Sequence, residues 1–563
     1  MLSLSSSSPS LIIARMIDNP MPTILSFPHK AWQMGLSTTA IVYLIGVVCL
    51  SYYGHRGTRA VQTPEHFFLA NHQLNSTQMS IAFIAACFGA GSTLGTLQVF
   101  GTSGWLTLWK VAIPLLLTCG VLYFLILPKL QAFKRIRQHP CDTLPETLET
   151  YYALKEGGGR AWLATVLWLA SVTFVSSQMI AAIGLLKVLF PDTWQWAVGL
   201  GWLGLVSYIT LGGFSAVVLT DTLQVGLYGT GMMILALSVL LTYWGIHFPV
   251  KGFETDWLAV ALSKLPQHFH WPQTTGYLLP ATWQETAALF ARQFGLITAW
   301  VIAPEMWQRI QATRSEADAK KGLLSAWGGL ATLYGAVLIL CLGVWGLMST
   351  LSPASLPSTN PTLTLAQQKL TPLLYWLAWV HQAFHIPQWG IMVILLGFLV
   401  ALSSTMDSTL NIASQTLTRD MLQPWCKVSP FSKLHKIVQT PQYVTYLGQM
   451  TSVLSAGVAL WVALTQHNIL DMLMLSAEIY ACCLGLPVLW MLWHPHTHTN
   501  PPHKLLLGVS PLIYGLLKLV GIALVGVSWY QDSLSAMTLL ASLGIIKLYQ
   551  CMRKGGKLLP KLL

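Results

Sequence analysis

The sequence predicts an all-α integral membrane protein with about 13 transmembrane helices. Of its 563 residues, 54% are hydrophobic and only 9% are charged, whereas soluble domains carry roughly 25% charged residues. Uncharged stretches such as 165–186 and 222–250 reach the length of about 20 residues that a helix needs to cross a bilayer. Transmembrane β-strands are shorter and alternate in polarity, so a barrel is not expected. This composition excludes a secreted domain, a nucleic-acid-binding protein and most soluble enzymes.

Hydropathy places the predicted spans, numbered 1 to 13 in chain order, at 37–54, 78–100, 107–128, 161–186, 194–211, 216–243, 284–305, 323–349, 387–412, 442–466, 468–493, 507–530 and 534–552. Of the 31 Lys and Arg residues, 21 follow odd-numbered spans, whereas 6 lie in the N-terminal segment or follow even-numbered spans. Basic residues concentrate in cytoplasmic loops. We therefore expect a multi-pass protein with its N-terminus outside and its C-terminus in the cytoplasm, and the short loops favour a bacterial inner membrane.

Span 9 carries oxygen-bearing side chains on one face. Ala401, Ser404, Thr405 and Ser408 are spaced by three and four residues, so they lie on the same side of a helix, and Asp407 adds a carboxylate to the segment. Such hydroxyl and carbonyl oxygens are what a hard cation such as Na⁺ prefers. Ser and Thr also join helices or bond to their own backbone, but so many together favour a cation site.

Spans 2 and 7 are predicted to be discontinuous. Span 2 contains Gly89, Gly91 and Gly95 among other small residues, and Pro304 interrupts span 7. Broken spans expose backbone carbonyls and helix dipoles, which transporters use to bind ions and solutes near the midplane; close helix packing through small residues is the alternative for span 2. Because the two breaks are five spans apart, they predict an inverted repeat of five plus five spans.

The predicted organisation follows from these spans. It comprises an irregular N-terminal segment (1–36), peripheral span 1 with an inner loop (37–77), a first repeat of spans 2–6 (78–243), an outer loop (244–283), a second repeat of spans 7–11 (284–493), and peripheral spans 12 and 13 with a basic tail (494–563).

Four segments resemble motifs of the sodium:solute symporter family, which includes sodium/glucose and sodium/proline cotransporters. They are Phe67–Ala70, the GG-x-x-AV-x-x-TD-x-x-Q pattern at 212–224, the Gln308-Arg309-x-x-Ala312-x-x-Ser315 pattern, and the stretch from Ser404-Thr405 to Arg419-Asp420. The resemblance covers roughly residues 60–500. It implies a LeuT-like inverted-repeat core and Na⁺-coupled transport.

The resemblance also implies where cations bind. The main sodium site would use the carbonyls of Ala85, Phe88 and Ala401 and the hydroxyls of Ser404 and Thr405. A second cation site, present in some members, would fall on Asp221, Ser404, Asp407 and Ser408. Asp407 replaces the serine of sialic-acid-type members, so it could instead balance Arg292 or carry a proton.

Substrate positions depart from the family's pattern. The proline-type carboxylate of span 2 falls on Cys87, and sugar-binding amides fall on Cys87 and Ser92, so sugar is disfavoured and simple proline recognition is not supported. The pocket is expected to be lined by Cys87, Ser92, Trp300, Pro304 and Glu478. Its solute would be a small organic molecule such as an amino acid, an organic cation or a carboxylate.

The predicted function is Na⁺-coupled import of a small organic solute by alternating access. The partners are this solute, the co-transported Na⁺ and the lipid bilayer, with no nucleic acid. The alternative is a proton-coupled amino-acid or organic-solute permease of the same architecture, coupled through Asp407 or Glu478. An enzyme is not expected, because the spans contain neither a His-rich metal motif nor a Gly-x-Ser-x-Gly elbow.

Overall fold

The computed structural model describes residues 29–56, 63–137, 142–154, 158–190, 192–248, 258, 282–350, 365–428, 440–466, 468–494, 506–523, 534–535 and 537–545. Within these ranges the chain is helical, with one isolated parallel bridge between Leu74 and Thr313. Most of the predicted N-terminal segment 1–36, of the outer loop 244–283 and of the basic tail lies outside the described residues.

The helices of the first half are α1 (His29–Arg56), α2 (Pro64–Leu69), α3 (Ser76–Cys87), α4 (91–103), α5 (108–137), α6 (Leu144–Tyr152), α7 (Gly158–Leu189) and α8 (Trp194–Tyr243). Those of the second half are α9 (Trp283–Ile302), α10 (Pro304–Gln311), α11 (Glu316–Thr350), α12 (Leu365–Ala383), α13 (388–428), α14 (Pro441–Thr465), α15 (Ile469–Trp493) and α16 (Leu506–Ala523). Residues 537–545 are also helical.

These helices confirm a multi-pass membrane protein. Among the described residues, 9 helices are long and apolar enough to cross a membrane, or 10 if α3 and α4 form one bent span. Helix α8 accounts for two predicted spans, since its 50 residues change direction at Gly213. Because predicted spans 12 and 13 are described only in part, the total of 13 stays a prediction.

Gly213 forms the kink within α8. Its backbone angles are φ 55° and ψ −149°, a combination that is essentially restricted to glycine. A Cβ atom there would also lie 2.4 Å from the carbonyl oxygen of Phe67. The predicted spans 5 and 6 are therefore joined without a loop, at a residue where no side chain fits.

Both predicted helix breaks occur. Helices α3 and α4 are bent by 58° around residues 88–90, and Phe88 leaves the helical conformation with φ −106° and ψ 71°. Helices α9 and α10 are separated at Ala303, whose ψ is 127°. Pro304 starts α10 as its first residue, a position where the missing N–H of proline costs nothing.

Helix α12 lies between predicted spans 8 and 9, in a stretch where hydropathy predicts no span. The buried indole N–H groups of Trp376 and Trp379 donate to the hydroxyls of Ser238 (3.3 Å) and Thr242 (3.4 Å) at the end of α8. The segment escaped detection as a helix because Pro372 and several polar residues keep its mean hydropathy low. It packs against α11 and α7, and the two hydrogen bonds attach it to the end of α8.

Helix α13 forms the centre of the molecule. It packs against α3, α7, α8 and α14, and nearly every side chain from Ile391 to Gln415 is buried. A helix buried on all sides would normally be apolar. Its many buried hydroxyls and Asp407 therefore point to a role beyond packing.

Candidate functional site

Four of the five oxygens predicted to bind sodium meet where α3 ends against α13. The Ser404 Oγ and Thr405 Oγ1 hydroxyls lie 3.3 Å and 3.2 Å from the carbonyl oxygen of Ala85, to which they donate. The same hydroxyls lie 3.0 Å and 3.1 Å from the Ala401 carbonyl oxygen. All four residues are buried, so these oxygens form a compact cluster shielded from water.

Phe88, the fifth predicted residue, is located at the same end of α3. The last carbonyls of a helix lack intrahelical partners, so the break provides acceptors beside the hydroxyls of α13. The Phe88 ring stacks on Tyr228 at a centroid distance of 5.3 Å and meets Tyr334 edge-on at 6.0 Å. These two aromatic contacts hold the broken end of α3 against α8 and α11.

Gln178 of α7 stabilises the break and was missed in the sequence. Its Oε1 accepts the backbone N–H of Ala90 at 2.6 Å, replacing a hydrogen bond that the interrupted helix cannot make. A Cβ atom on Gly89 would lie 2.5 Å from this Oε1 and 2.6 Å from the Thr405 hydroxyl. Gly89 is thus required for Gln178 and Thr405 to approach the unwound backbone together.

A cavity of about 260 Å³ adjoins the oxygen cluster. Three of the five residues predicted to line the solute pocket, Cys87, Ser92 and Trp300, line this cavity. Thr405 also reaches its wall, so one hydroxyl belongs both to the oxygen cluster and to the cavity. The two sites are therefore contiguous.

The other two predicted pocket residues lie elsewhere. Pro304 lines a separate, smaller cavity together with Trp307. The Glu478 carboxylate accepts hydrogen bonds from the Tyr514 hydroxyl (3.0 Å) and the Lys518 ammonium (2.5 Å), both on α16. Glu478 thus faces a peripheral helix and does not line the cavity.

A second polar cluster surrounds Asp407. Its carboxylate accepts hydrogen bonds from the Tyr208 hydroxyl at 2.6 Å and from Ser408 at 3.2 Å. Asp221 belongs to the same cluster, because its electrostatic interactions are with Asp407 and Arg309. Both carboxylate oxygens of Asp221 are buried without a hydrogen-bond partner among the described residues. The predicted second-site residues therefore lie together.

Arg309 supplies the positive charge of this cluster. Its guanidinium is fully buried and donates to Ser408 Oγ at 2.5 Å, to the Ala82 carbonyl at 2.7 Å and to the Glu305 carbonyl at 2.9 Å. It thereby connects α13, α3 and α10. The hypothesis that Arg292 balances Asp407 does not match this arrangement, since Arg292 lines the cavity.

A third set of charges joins the loops predicted to be cytoplasmic. Arg160 at the start of α7 forms an ion pair of 2.7 Å with Asp420 near the end of α13, and Thr143 donates to the same carboxylate at 2.7 Å. Arg419 pairs with Asp142 at 3.1 Å. This inner network ties α6, α7 and α13 together on the side away from the cavity wall that carries Lys110.

These features define a membrane transporter with broken helices around a buried cluster of oxygens. Residues 67–499 match the sodium:solute symporter family, and the chain therefore belongs to that family, with sodium as the co-transported ion. The members of this family are transporters and not enzymes. No curated protein sequence is significantly similar to the chain.

The fold agrees with a solved symporter structure. The substrate-bound, outward-open structure of a Na⁺-coupled sialic acid symporter, which revealed a novel Na⁺ site, has a TM-score of 0.61 and 13% sequence identity to this chain. The similarity covers 92% of this chain and 96% of the other. At this identity the similarity shows the fold, which is the LeuT-like architecture expected from the sequence.

Proposed function

We propose that this symporter imports a small organic solute, with Na⁺ bound by the carbonyls of Ala85, Phe88 and Ala401 and the hydroxyls of Ser404 and Thr405. The observation that carries the proposal is the meeting of both hydroxyls with the Ala85 carbonyl. The cluster offers uncharged oxygens, which suit a monovalent cation better than a divalent one. Na⁺ at this point bridges α3 and α13.

Coupling follows from the shared wall of the two sites. Na⁺ that holds α13 against the end of α3 also positions Thr405 beside the solute cavity. A ligand shifts a conformational equilibrium only through a difference in affinity between the two states. We propose that the bridged arrangement is the outward-facing one, and that inward opening separates α3 from α13 and releases both Na⁺ and solute.

The energy supplied by one Na⁺ is sufficient for accumulation. Moving one elementary charge through about 100 mV provides about 2.3 kcal/mol, which corresponds to roughly a 50-fold concentration ratio. The sodium concentration gradient adds to this. We propose a bacterial inner membrane because the predicted loops are short. The distribution of Lys and Arg supports an N-terminus outside and the inner network in the cytoplasm.

The sodium site is tested by ²²Na⁺ binding to the purified protein. Ser404→Ala and Thr405→Ala are each expected to weaken Na⁺ binding by about tenfold or more, since each removes an oxygen from a buried charge. Ser403→Ala is the matched control, because the Ser403 hydroxyl donates to the Val400 carbonyl at 3.0 Å, whereas the Ala85 carbonyl accepts from Ser404 and Thr405. Wild-type affinity in both site variants contradicts the assignment.

Proton coupling is the second candidate, favoured by the two buried carboxylates of Asp221 and Asp407 around a single guanidinium. Asp221, Asp407 and Arg309 together carry a net formal charge of −1, and the buried Glu305 carboxylate interacts with the same guanidinium. A proton or a second Na⁺ offsets this negative charge. Solute uptake into proteoliposomes separates sodium coupling from proton coupling when K⁺ replaces Na⁺ and the pH conditions are kept the same. Loss of uptake supports sodium coupling, whereas undiminished uptake driven by a pH gradient supports the proton.

A further inference from the structure

Glu305 is a buried carboxylate located between the two cavities. It is the second residue of α10 and is only 4% exposed. Trp300, near the end of α9, lines the large cavity, whereas the adjacent Pro304 lines the small cavity together with Asp142 of the inner network. Glu305 therefore lies between the solute cavity and the side of the protein that is predicted to face the cytoplasm.

Two helices that line the large cavity meet beside Glu305. Phe174 of α7 and Ala477 of α15 line this cavity. Ser171 and Tyr480 lie three residues away on the same two helices, which is about one helical turn, and their hydroxyl oxygens are 3.0 Å apart. The Tyr480 hydroxyl is 3.5 Å from Glu305 Oε1. A chain of oxygen atoms thus connects Glu305 with α15 and α7 next to the cavity.

The Glu305 carboxylate lacks the partners that usually stabilise a buried charge. Its Oε2 atom has no hydrogen-bond partner among the described residues. Arg309 interacts with the carboxylate electrostatically, but its guanidinium donates to the Glu305 backbone carbonyl at 2.9 Å. The nearby Thr409 hydroxyl donates to the Thr405 carbonyl at 3.0 Å. Burying an ionised carboxylate in this way is costly, and a bound proton removes the charge.

The hydrogen-bond geometry fits the protonated acid. An O–H donor normally lies about 2.5–2.7 Å from an ionised carboxylate, whereas Tyr480 Oη lies 3.5 Å from Glu305 Oε1. A protonated Glu305 can itself donate to the Tyr480 oxygen, and the Tyr480 hydroxyl can then donate to Ser171. In this direction the protons of Glu305 and Tyr480 both have an acceptor.

The surroundings of Glu305 suit a proton better than a sodium ion. Among the described residues, the charged or titratable groups that face the carboxylate are Arg309, Tyr480 and Cys87. The Cys87 thiol lies 3.8 Å from the sulfur of Met306. Na⁺ prefers several oxygen ligands to sulfur, and here the Tyr480 hydroxyl lies 3.5 Å from the carboxylate.

We propose that Glu305 binds a proton during the transport cycle, in addition to the sodium ion proposed above. It accepts the proton from hydronium in the solute cavity while the outer side is open. When the cytoplasmic side opens, the O–H bond of Glu305 breaks, the proton passes to entering water, and the electron pair stays on the carboxylate. One proton therefore enters the cell in each cycle.

Infrared spectra of the purified protein at neutral pH test the protonation directly. A protonated carboxylic acid has a carbonyl stretching band at a higher wavenumber than a carboxylate. We expect the wild-type protein to show such a band and the Glu305→Gln variant to lose it. Glu478→Gln is the matched control, because the Glu478 carboxylate is paired with Lys518, and it should keep the band.

The pH dependence of inner opening tests the role of this proton in the cycle. An Ile412→Cys thiol in a cysteine-free background reports on the small cavity. Opening that releases one proton becomes up to about tenfold more favourable per pH unit. We expect the maleimide reaction to accelerate about threefold to tenfold more per pH unit with Glu305 present than in Glu305→Gln, where only thiol ionisation changes. Glu478→Gln should keep the steeper dependence.

A Glu305→Gln variant that retains the acid band, or that shows the same pH dependence as the protein with Glu305, overturns the proposal. If the Gln variant fails to fold, Glu305→Asp replaces it and is expected to move the acid band to another wavenumber, and an unmoved band is then the contrary result. Failure of the wild-type protein to bind ²²Na⁺ contradicts the proposed sodium site and leaves the expectations for Glu305 unchanged. The two failures are therefore distinguishable.

Discussion

Gly89 shows how much of the site depends on one missing side chain. A Cβ atom there would displace Gln178 from the Ala90 N–H and push on the Thr405 hydroxyl. We expect Gly89→Ala to weaken ²²Na⁺ binding by about tenfold or more, because a buried hydrogen bond and a ligand position are both disturbed. Gly226→Ala, where the added methyl meets nothing within 4 Å, is the control and should bind Na⁺ normally.

We propose that Asp221 decides the number of cations that the protein binds. Its buried carboxylate has no hydrogen-bond partner among the described residues, and on this proposal it binds a second Na⁺ near Asp407. We expect Asp221→Asn to reduce bound ²²Na⁺ from two per protein to one at saturation. An unchanged stoichiometry of one in both proteins would leave the main site as the sole sodium site and remove the second.

The roles of Gln178 and Arg309 in the site were not predicted from the sequence, for physical reasons. Gln178 is a single amide in an apolar span, and such a residue equally well joins helices. Arg309 lies five residues after Pro304, at the end of predicted span 7. From its position it resembles the basic residues that commonly flank transmembrane spans. Arg309 lies just beyond the break at Ala303 and is buried against Ser408, and no local sequence pattern reveals this contact.

At the scale of helices, Gly213 is the most demanding position. Gly213→Ala is expected to destabilise the protein by about 3 kcal/mol or more, combining a disallowed backbone conformation with a clash against the Phe67 carbonyl. Thermal unfolding of the purified protein and its yield in membranes measure this effect. Gly199→Ala places its methyl in open space and should leave both quantities unchanged, whereas equal stability of the two variants would contradict the constraint.

Helix breaks were predictable, whereas α12 was not. Clustered glycines and Pro304 indicate interruption in a single stretch of sequence, and both interruptions occur within a residue or two of the predicted places. Helix α12 instead depends on tertiary contacts of Trp376 and Trp379 with α8. Hydropathy alone identifies helices that face lipid, and α12 owes its order to protein neighbours.

For the whole molecule, we propose that the inner network closes the cytoplasmic side. Arg160→Gln leaves Asp420 buried and unpaired, which is strongly destabilising for the closed arrangement. An Ile412→Cys substitution in a cysteine-free background places a thiol at the small cavity beside Asp142. We expect this thiol to react with maleimide at least tenfold faster when Arg160→Gln is added than when Arg160 is present. Arg135→Gln removes an exposed ion pair with Glu316 and serves as the control; equal acceleration there would contradict a gating role.

The overall architecture followed from composition, spacing and motif resemblance, since bilayer thickness and backbone hydrogen bonding leave few alternatives. The lining of the solute cavity could not be predicted from the sequence in the same way. Lys110 and Arg292 lie on spans far apart in sequence, and each alone is an isolated cation in an apolar helix. Their convergence on one wall is a property of the folded chain.

Thr405 belongs both to the oxygen cluster and to the cavity wall. This shared position has a thermodynamic consequence for the binding of the two ligands. Linkage requires that the factor by which Na⁺ tightens solute binding equals the factor by which solute tightens Na⁺ binding. Removing the Thr405 hydroxyl should shrink both factors together, so that each ligand becomes indifferent to the other.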